Sequence, residues 1–172
     1  LAVALAVHAT IRAVLPPDAD PVEVKWPNDI LIGRRKTCGI LIEAEKLLDG
    51  RQALVIGIGI NIRHMPEGAA YPVTRLEDHG CHASPEEVFA HLFNRMAEVL
   101  ESWDEGRGVA EISRRWLDAA CGIGEAVTVN LPDRSLSGRF AGIDGQGLLQ
   151  LETGSGQVLS IAAGDVFFAR TE

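Results

Sequence analysis

Cysteine, aromatic residues and positive charge are all scarce in this sequence. The three cysteines among 172 residues, Cys38, Cys81 and Cys121, are far apart and odd in number. With no Cys-x-x-Cys pair, neither a disulfide framework nor a zinc knuckle is indicated, and a reducing cytoplasm is the compartment such usage fits. Lys and Arg number 16 against 24 acids, a net charge of −8. Backbone-phosphate binding needs clustered cations, so a dominant nucleic-acid surface is disfavoured; a nucleotide needs only a local cationic pocket. There is no Gly-x-x-x-x-Gly-Lys loop and no Gly-x-Ser-x-Gly elbow, which removes support for P-loop and hydrolase-triad chemistry. The one long apolar opening, Leu1–Leu15, carries His8 and Arg12, lacks a basic leader and stops at Pro16-Pro17. It is too short to span a bilayer and reads as a core helix rather than a signal peptide. The absence of an initiator methionine suggests a piece of a longer chain.

What the sequence does have is 47% hydrophobic residues and 18 glycines, enough for one medium domain, or a medium and a small one, with many tight turns. Val22, Val24 and Trp26 alternate with Glu23 and Lys25 at the strand period. Pro27-Asn28-Asp29 breaks that run. Short apolar stretches at Ile30–Ile32, Cys38–Ala44 and Ala53–Ile62, joined by brief turns, predict an antiparallel meander. The irregular stretch Arg63–Gly80 is long enough to suggest a functional loop. Ser84-Pro85-Glu86-Glu87 places an N-cap, a proline at the first helical position and two acids in sequence, predicting a helix to about Asp104; another follows over Val109–Ala120. From Ala126, five short strands separated by turns predict a closed or half-closed barrel. The expected division is 1–121 for an α/β body and 122–172 for the barrel.

Three places can carry chemistry. Lys25-Trp26-Pro27-Asn28-Asp29 sets a cation, an amide and a carboxylate where a strand breaks into a turn, so all three can be aimed into one pocket; a solvated turn is the plain alternative. Lys36 closes the Gly33-Arg34-Arg35-Lys36 turn just before Gly39, where a lysine can neutralise charge as a carboxylate oxygen attacks an α-phosphorus; an ordinary basic hairpin looks the same locally. In Gly57-Ile58-Gly59-Ile60-Asn61, strand alternation puts Gly57, Gly59 and Asn61 on one face, leaving bare backbone that a ligand can approach or that packed neighbours can fill. Asn61 offers a donor and an acceptor suited to an adenine edge. His79-Gly80-Cys81-His82 lacks a second ligand cluster and reads as a solvated loop, with no metal site expected.

Taken together these motifs resemble the biotin protein ligases. Val24-Lys25-Trp26-Pro27-Asn28-Asp29 looks like that family's signature. Arg35-Lys36-Thr37-Cys38-Gly39-Ile40-Leu41-Ile42-Glu43 and Gly57-Ile58-Gly59-Ile60-Asn61 follow at matching intervals, and the likeness continues through Tyr71-Pro72-Val73-Thr74, the helix with Trp116 and the ending Gly164-Asp165-Val166. The resemblance implies an α+β fold: a class II synthetase/biotin-ligase-like mixed sheet with helices, followed by a small SH3-like β-barrel. It implies that Lys36, with Asp29 and Lys25, is catalytic; that Lys36, Gly39, Leu41, Gly57, Gly59 and Ile60 bind biotin; and that Asn28 and Asn61 bind ATP. The implied substrates are biotin and ATP with Mg²⁺, the implied intermediate biotinyl-5′-AMP, and the implied partner a biotin carboxyl carrier protein, with a homodimer possible and no membrane involved.

The family's Gly-Arg-Gly-Arg-rich loop, which closes over biotin and phosphates, belongs upstream of the first helix and is not among these residues. The expectation that follows is little or no adenylation by the 172-residue piece alone. A lipoate-type ligase and a non-catalytic adenylate- or carrier-binding module are the alternatives.

Overall fold

The computed structural model describes residues 1–69 and 71–168. Helix α1, Ala2–Val14, buries Val3 through Val7 together with Thr10 and Ile11, as the apolar opening required. It lies against α2, Pro85–Trp103, and α3, Val109–Ala119. The start of α2 is the predicted reciprocal cap: the Ser84 hydroxyl accepts from the Glu87 amide at 3.2 Å, and the Glu87 carboxylate accepts from the Ser84 amide at 2.7 Å. Two of the helix's orphan donors are thereby satisfied.

The meander is a four-stranded sheet in sequential order: β1 Val22–Lys25, β2 Asp29–Ile32, β3 Arg35–Lys46 and β4 Gln52–Ile60. All its ladders are antiparallel. The parallel component is two single bridges, Val24 with Ala120 and Lys36 with Val73. Strand β3 runs further at both ends than its apolar residues indicated. Its polar outer half pairs in full with β4, down to Lys46 opposite Gln52, and backbone pairing does not depend on apolarity. The β2–β3 turn has positive φ at both central residues, Gly33 (55°) and Arg34 (64°), the twist that a two-residue hairpin favours. Glycine suits the first of these positions because its φ lies in the left-handed region, which L side chains rarely adopt.

The second sheet holds β5 Ala126–Asn130, β6 Ser135–Ile143, β7 Leu149–Glu152, β8 Val158–Ile161 and β9 Asp165–Phe168, in the order β8-β7-β6-β5-β9. Val127, Val129, Phe140, Leu149, Leu151, Ile161 and Val166 fill its interior. Among the described residues strands β8 and β9 end the order without pairing to one another, which leaves the barrel half-closed there. Several contacts fasten it to the first sheet. The Cys121 amide donates to the Val24 carbonyl at 3.0 Å, the Trp26 indole donates to the Gly147 carbonyl at 3.1 Å, and Arg34 pairs with Glu125 at 2.6 Å while its guanidinium covers the Phe168 ring. Among the described residues no helix is long and apolar enough to cross a membrane.

The stretch read as irregular contains a 3-10 turn, Leu76–His79, closed by Gly80 in the left-handed conformation. The reading of His79–His82 as a solvated loop holds at Gly80 and His82, which are exposed, and is corrected at the other two residues. The His79 side chain is 5% exposed and Cys81 is buried, because Leu76 enters the core and draws the turn inward.

Candidate active site

The β1–β2 break and the β3–β4 ladder form two walls of a cavity of about 770 Å³. Lys25, Asn28, Asp29, Lys36, Gly39, Leu41, Gly57 and Gly59 all line it, joined by Trp26, Tyr71 and the β9 residues Asp165 and Phe167. The register explains the convergence. Asp29 opens β2 directly opposite Gly39 of β3, and Gly39 stands opposite Gly59 of β4. A bulge between Ile30 and Leu31 then brings Lys36 beside Leu31, one step closer than regular pairing would. From there its side chain reaches back over Gly39 to the carboxylate.

The Lys36 ammonium sits 2.6 Å from one oxygen of Asp29, and the Lys25 ammonium 3.6 Å from the other. Both partners of the closer pair are largely shielded, with side chains 24% and 15% exposed. Burial alone lowers the pKa of Lys36, but the hydrogen bond and charge of Asp29, helped by Tyr71, more than offset it and hold the group above its ordinary value. Lys36 is therefore a fixed cation at neutral pH, suited to stabilising negative charge and not to acting as a base. The Tyr71 ring lies 5.0 Å from the Lys36 nitrogen, and the Phe167 ring 5.6 Å from that of Lys25, so each cation has an aromatic face behind it.

The floor is glycine for a reason the structure makes visible. A Cβ on Gly59 would meet nothing nearer than the Gly39 carbonyl at 4.0 Å, and one on Gly57 only Leu41 at 3.7 Å. No packed neighbour requires these glycines; their effect is to leave the cavity open. Gly39 differs, since a Cβ there would press on the Lys36 side chain at 3.3 Å. Asn28 faces the cavity but donates its amide to the Ile40 carbonyl at 2.5 Å, while the Ile40 amide donates back to the Asn28 carbonyl. It locks the turn to β3.

Two expected members, Ile60 and Asn61, do not line this cavity. Ile60 packs against the core. The Asn61 side-chain amide donates to the Thr74 carbonyl at 3.0 Å, and its backbone bonds Thr37 and Leu76. Asn61 ends β4 by turning toward the 71–76 segment instead of continuing the glycine face. Tyr71, Asp165 and Phe167 escaped the reading of the sequence as site residues. Tyr71 and Asp165 stood in motifs that carried the family likeness, but their approach to the cavity depends on long-range folding.

Among the described residues no group of three or more His, Cys, Asp or Glu is placed to hold a metal. Asp29 is already paired with two lysines. The side chains therefore do not fit a protein-built magnesium cage.

Known proteins share this sequence and architecture. Residues 1–61 match the family model described as biotin/lipoate A/B protein ligase family, and residues 122–169 match the biotin protein ligase C terminal domain. The biotin–[acetyl-CoA-carboxylase] ligase of Paracoccus denitrificans is 33% identical over 174 residues, covering 96% of this chain and 70% of the relative. The bifunctional ligase/repressor of Bacillus subtilis is 29% identical over 157 residues, covering 88% of this chain and 48% of the relative. The structure of the biotin protein ligase from Aquifex aeolicus in complex with biotin and ATP superimposes with a TM-score of 0.80 at 26% identity, over 99% of this chain and 70% of that one.

Proposed function

The chain belongs to the biotin protein ligase family, and from that premise we propose that it carries the catalytic cavity of an enzyme that joins biotin to a lysine of a carboxyl carrier protein through biotinyl-5′-AMP. A carboxylate oxygen of biotin attacks the α-phosphorus of ATP, the bond to the β-phosphate oxygen breaks, and pyrophosphate leaves. The neutral ε-amine of the carrier lysine then attacks the acyl carbon, AMP leaves with the bonding pair, and the amine's proton passes to solvent.

The observation that carries this reading is the Lys36–Asp29 pair suspended over a floor of Gly39, Gly57 and Gly59. Lys36 is oriented before any ligand arrives, which removes a reorganisation cost from the charged transition state. Leu41 and the bare glycines accept an apolar acyl chain alongside β4, with Lys36 at its carboxylate end. Lys25 and Asn28 face the phosphate side, and Asp165 and Phe167 border the same space from the barrel. Asn61 anchors the Thr74 segment through its amide N–H and in this reading offers its amide oxygen to the adenine edge. Magnesium, when present, supplies charge neutralisation on the ATP phosphates; no protein cage for it is part of the proposal.

The match to a C-terminal biotin ligase domain supports biotin over lipoate as substrate. Leu41 is 60% exposed, so an adenylate lying against it in the 172 residues alone would meet water. The isolated piece is accordingly expected to turn over poorly. Incubating the intact protein with ATP, biotin or lipoate, and a purified carrier domain tests the assignment by mass spectrometry of the carrier. A biotin adduct on one lysine is expected; an unmodified carrier, or a lipoyl adduct alone, overturns it.

A further inference from the structure

We propose that His79 is a positioning residue for the reaction, acting through Thr74 to hold the segment that sets Tyr71 against Lys36. The inference rests on the ligase reading above and extends it to a residue outside the cavity. The segment from Tyr71 to Thr74 has no regular strand of its own. It is held to the beginning of β3 by a single parallel bridge, in which the Lys36 amide donates to the Pro72 carbonyl and the Thr74 amide donates to the Lys36 carbonyl, both at 2.9 Å. Lys36 is thus fixed twice by one short strap: through its backbone, and through the Tyr71 ring beside its ammonium.

Two backbone bonds fix a short segment weakly, so what holds the strap's far end decides where Tyr71 sits. That end is buried and polar. Thr74 is fully inaccessible, its carbonyl accepts from the Asn61 side chain, and its hydroxyl meets the His79 Nε2 at 2.9 Å. The other ring nitrogen of His79 faces an Asp20 carboxylate oxygen at 3.5 Å. The same oxygen lies 4.0 Å from the guanidinium of Arg35, the first residue of β3. A chain of polar contacts therefore runs from the turn that delivers Lys36, through Asp20, His79 and Thr74, back to the strap that covers Lys36. Both ends of the chain bear on the same lysine. The buried member of this chain is the Thr74–His79 pair, while Asp20 is 55% exposed; a buried hydrogen-bonded pair fixes one arrangement among several of similar packing, and a catalytic group held slightly out of place loses rate more than binding.

The experiment measures biotin-dependent pyrophosphate release by the intact protein for His79→Leu, Thr74→Val, His79→Gln, Tyr71→Ala and the double variant Tyr71→Ala/His79→Leu, with melting temperatures alongside and Lys36→Ala as reference. His79→Leu and Thr74→Val are expected to lose about tenfold in kcat with the KM for biotin within about twofold of the parent, a tenfold change corresponding to about 1.4 kcal/mol. His79→Gln, whose amide can still reach the Thr74 hydroxyl, is expected to recover most of the rate. In the Tyr71→Ala background, His79→Leu is expected to have no further effect on kcat. A purely structural role predicts losses that follow melting temperature and multiply in the double variant, and either result overturns the inference. Thr74→Val keeps the buried volume and carries the test if His79→Leu does not fold. Full activity in Lys36→Ala overturns the ligase reading itself, whereas inactivity there with normal rates in Thr74→Val and Tyr71→Ala overturns only the role of His79.

Discussion

Lys36 and Asp29 face each other at 2.6 Å although they belong to neighbouring strands whose regular register would set them apart. The bulge between Ile30 and Leu31 and the missing side chain at Gly39 together make the contact possible. Lys36→Ala is expected to remain folded and to lose at least about a hundredfold in adenylation rate, the size of effect seen when one donor to a developing anion is removed. Single-turnover formation of biotinyl-5′-AMP measures it directly, and a rate near the parent's would remove Lys36 from the mechanism.

The same pair gives a pH expectation. Asp29 is what holds Lys36 above its ordinary value of 10.5, so the native state keeps this proton where an unfolded chain has begun to lose it. The stability the pair contributes is then fully present below the unfolded pKa and is lost as pH rises through the raised native value. Asp29→Asn removes that support and moves the deprotonation of Lys36 to lower pH. The alkaline limb of the adenylation profile should shift the same way; an unmoved limb would mean that Asp29 does not set the charge of this lysine.

Gly59→Val separates folding from binding. Glycine weakens a strand, and a β-branched residue suits one; a Cβ at position 59 meets no protein atom closer than 4.0 Å. Melting temperature should therefore stay level or rise while biotin affinity, read by calorimetry, falls at least about a hundredfold because the added side chain occupies the cavity. Loss of both together would point to a packing role for the glycine instead.

Ser84→Ala probes a feature far from the cavity. Removing an N-cap hydroxyl costs about 1 kcal/mol; here the bond from the Glu87 amide is lost, while the backbone amide of residue 84 can still donate to the Glu87 carboxylate. Denaturant unfolding should show that loss, with activity per folded molecule unchanged.

The contrast between Ser84 and His79 marks how far the sequence could be read. The cap is local: Ser84, Pro85 and Glu87 announce it within four positions. The meander was legible for the same reason, since alternation at Val22–Trp26 and the turn at Gly33-Arg34 act over a few residues. The glycine face of β4 followed from strand parity alone. The strap was not legible, because the partners of His79 lie at Thr74 and Asp20 and nothing nearby in the chain marks them. The contribution of Asp165 and Phe167 to the cavity was hidden likewise, since it depends on how the barrel docks through Trp26 and Arg34. Asn61 was legible as a polar group at the end of the glycine face, but its bond to the Thr74 carbonyl was not.

Cys38 and Cys121 supply a last expectation. Burial pushes both thiols up to about 12, with the negative charge of Asp29 adding to the effect at Cys38 and that of Glu23 at Cys121. At pH 8 both should resist alkylation by iodoacetamide in the native protein and react promptly after denaturation, as peptide mapping would show, because the thiolate is the reactive form. The sign for stability follows from the same difference. Above a pH of roughly 8.5, the free-thiol value, the unfolded chain releases these protons while the native state retains them, so fewer protons are bound on unfolding and stability falls as pH rises toward the native values. Replacing each cysteine with alanine should flatten that alkaline decline even as it removes some buried contact. A decline of unchanged steepness in the double variant would assign the alkaline loss to other groups, with the Lys36–Asp29 pair the first to examine.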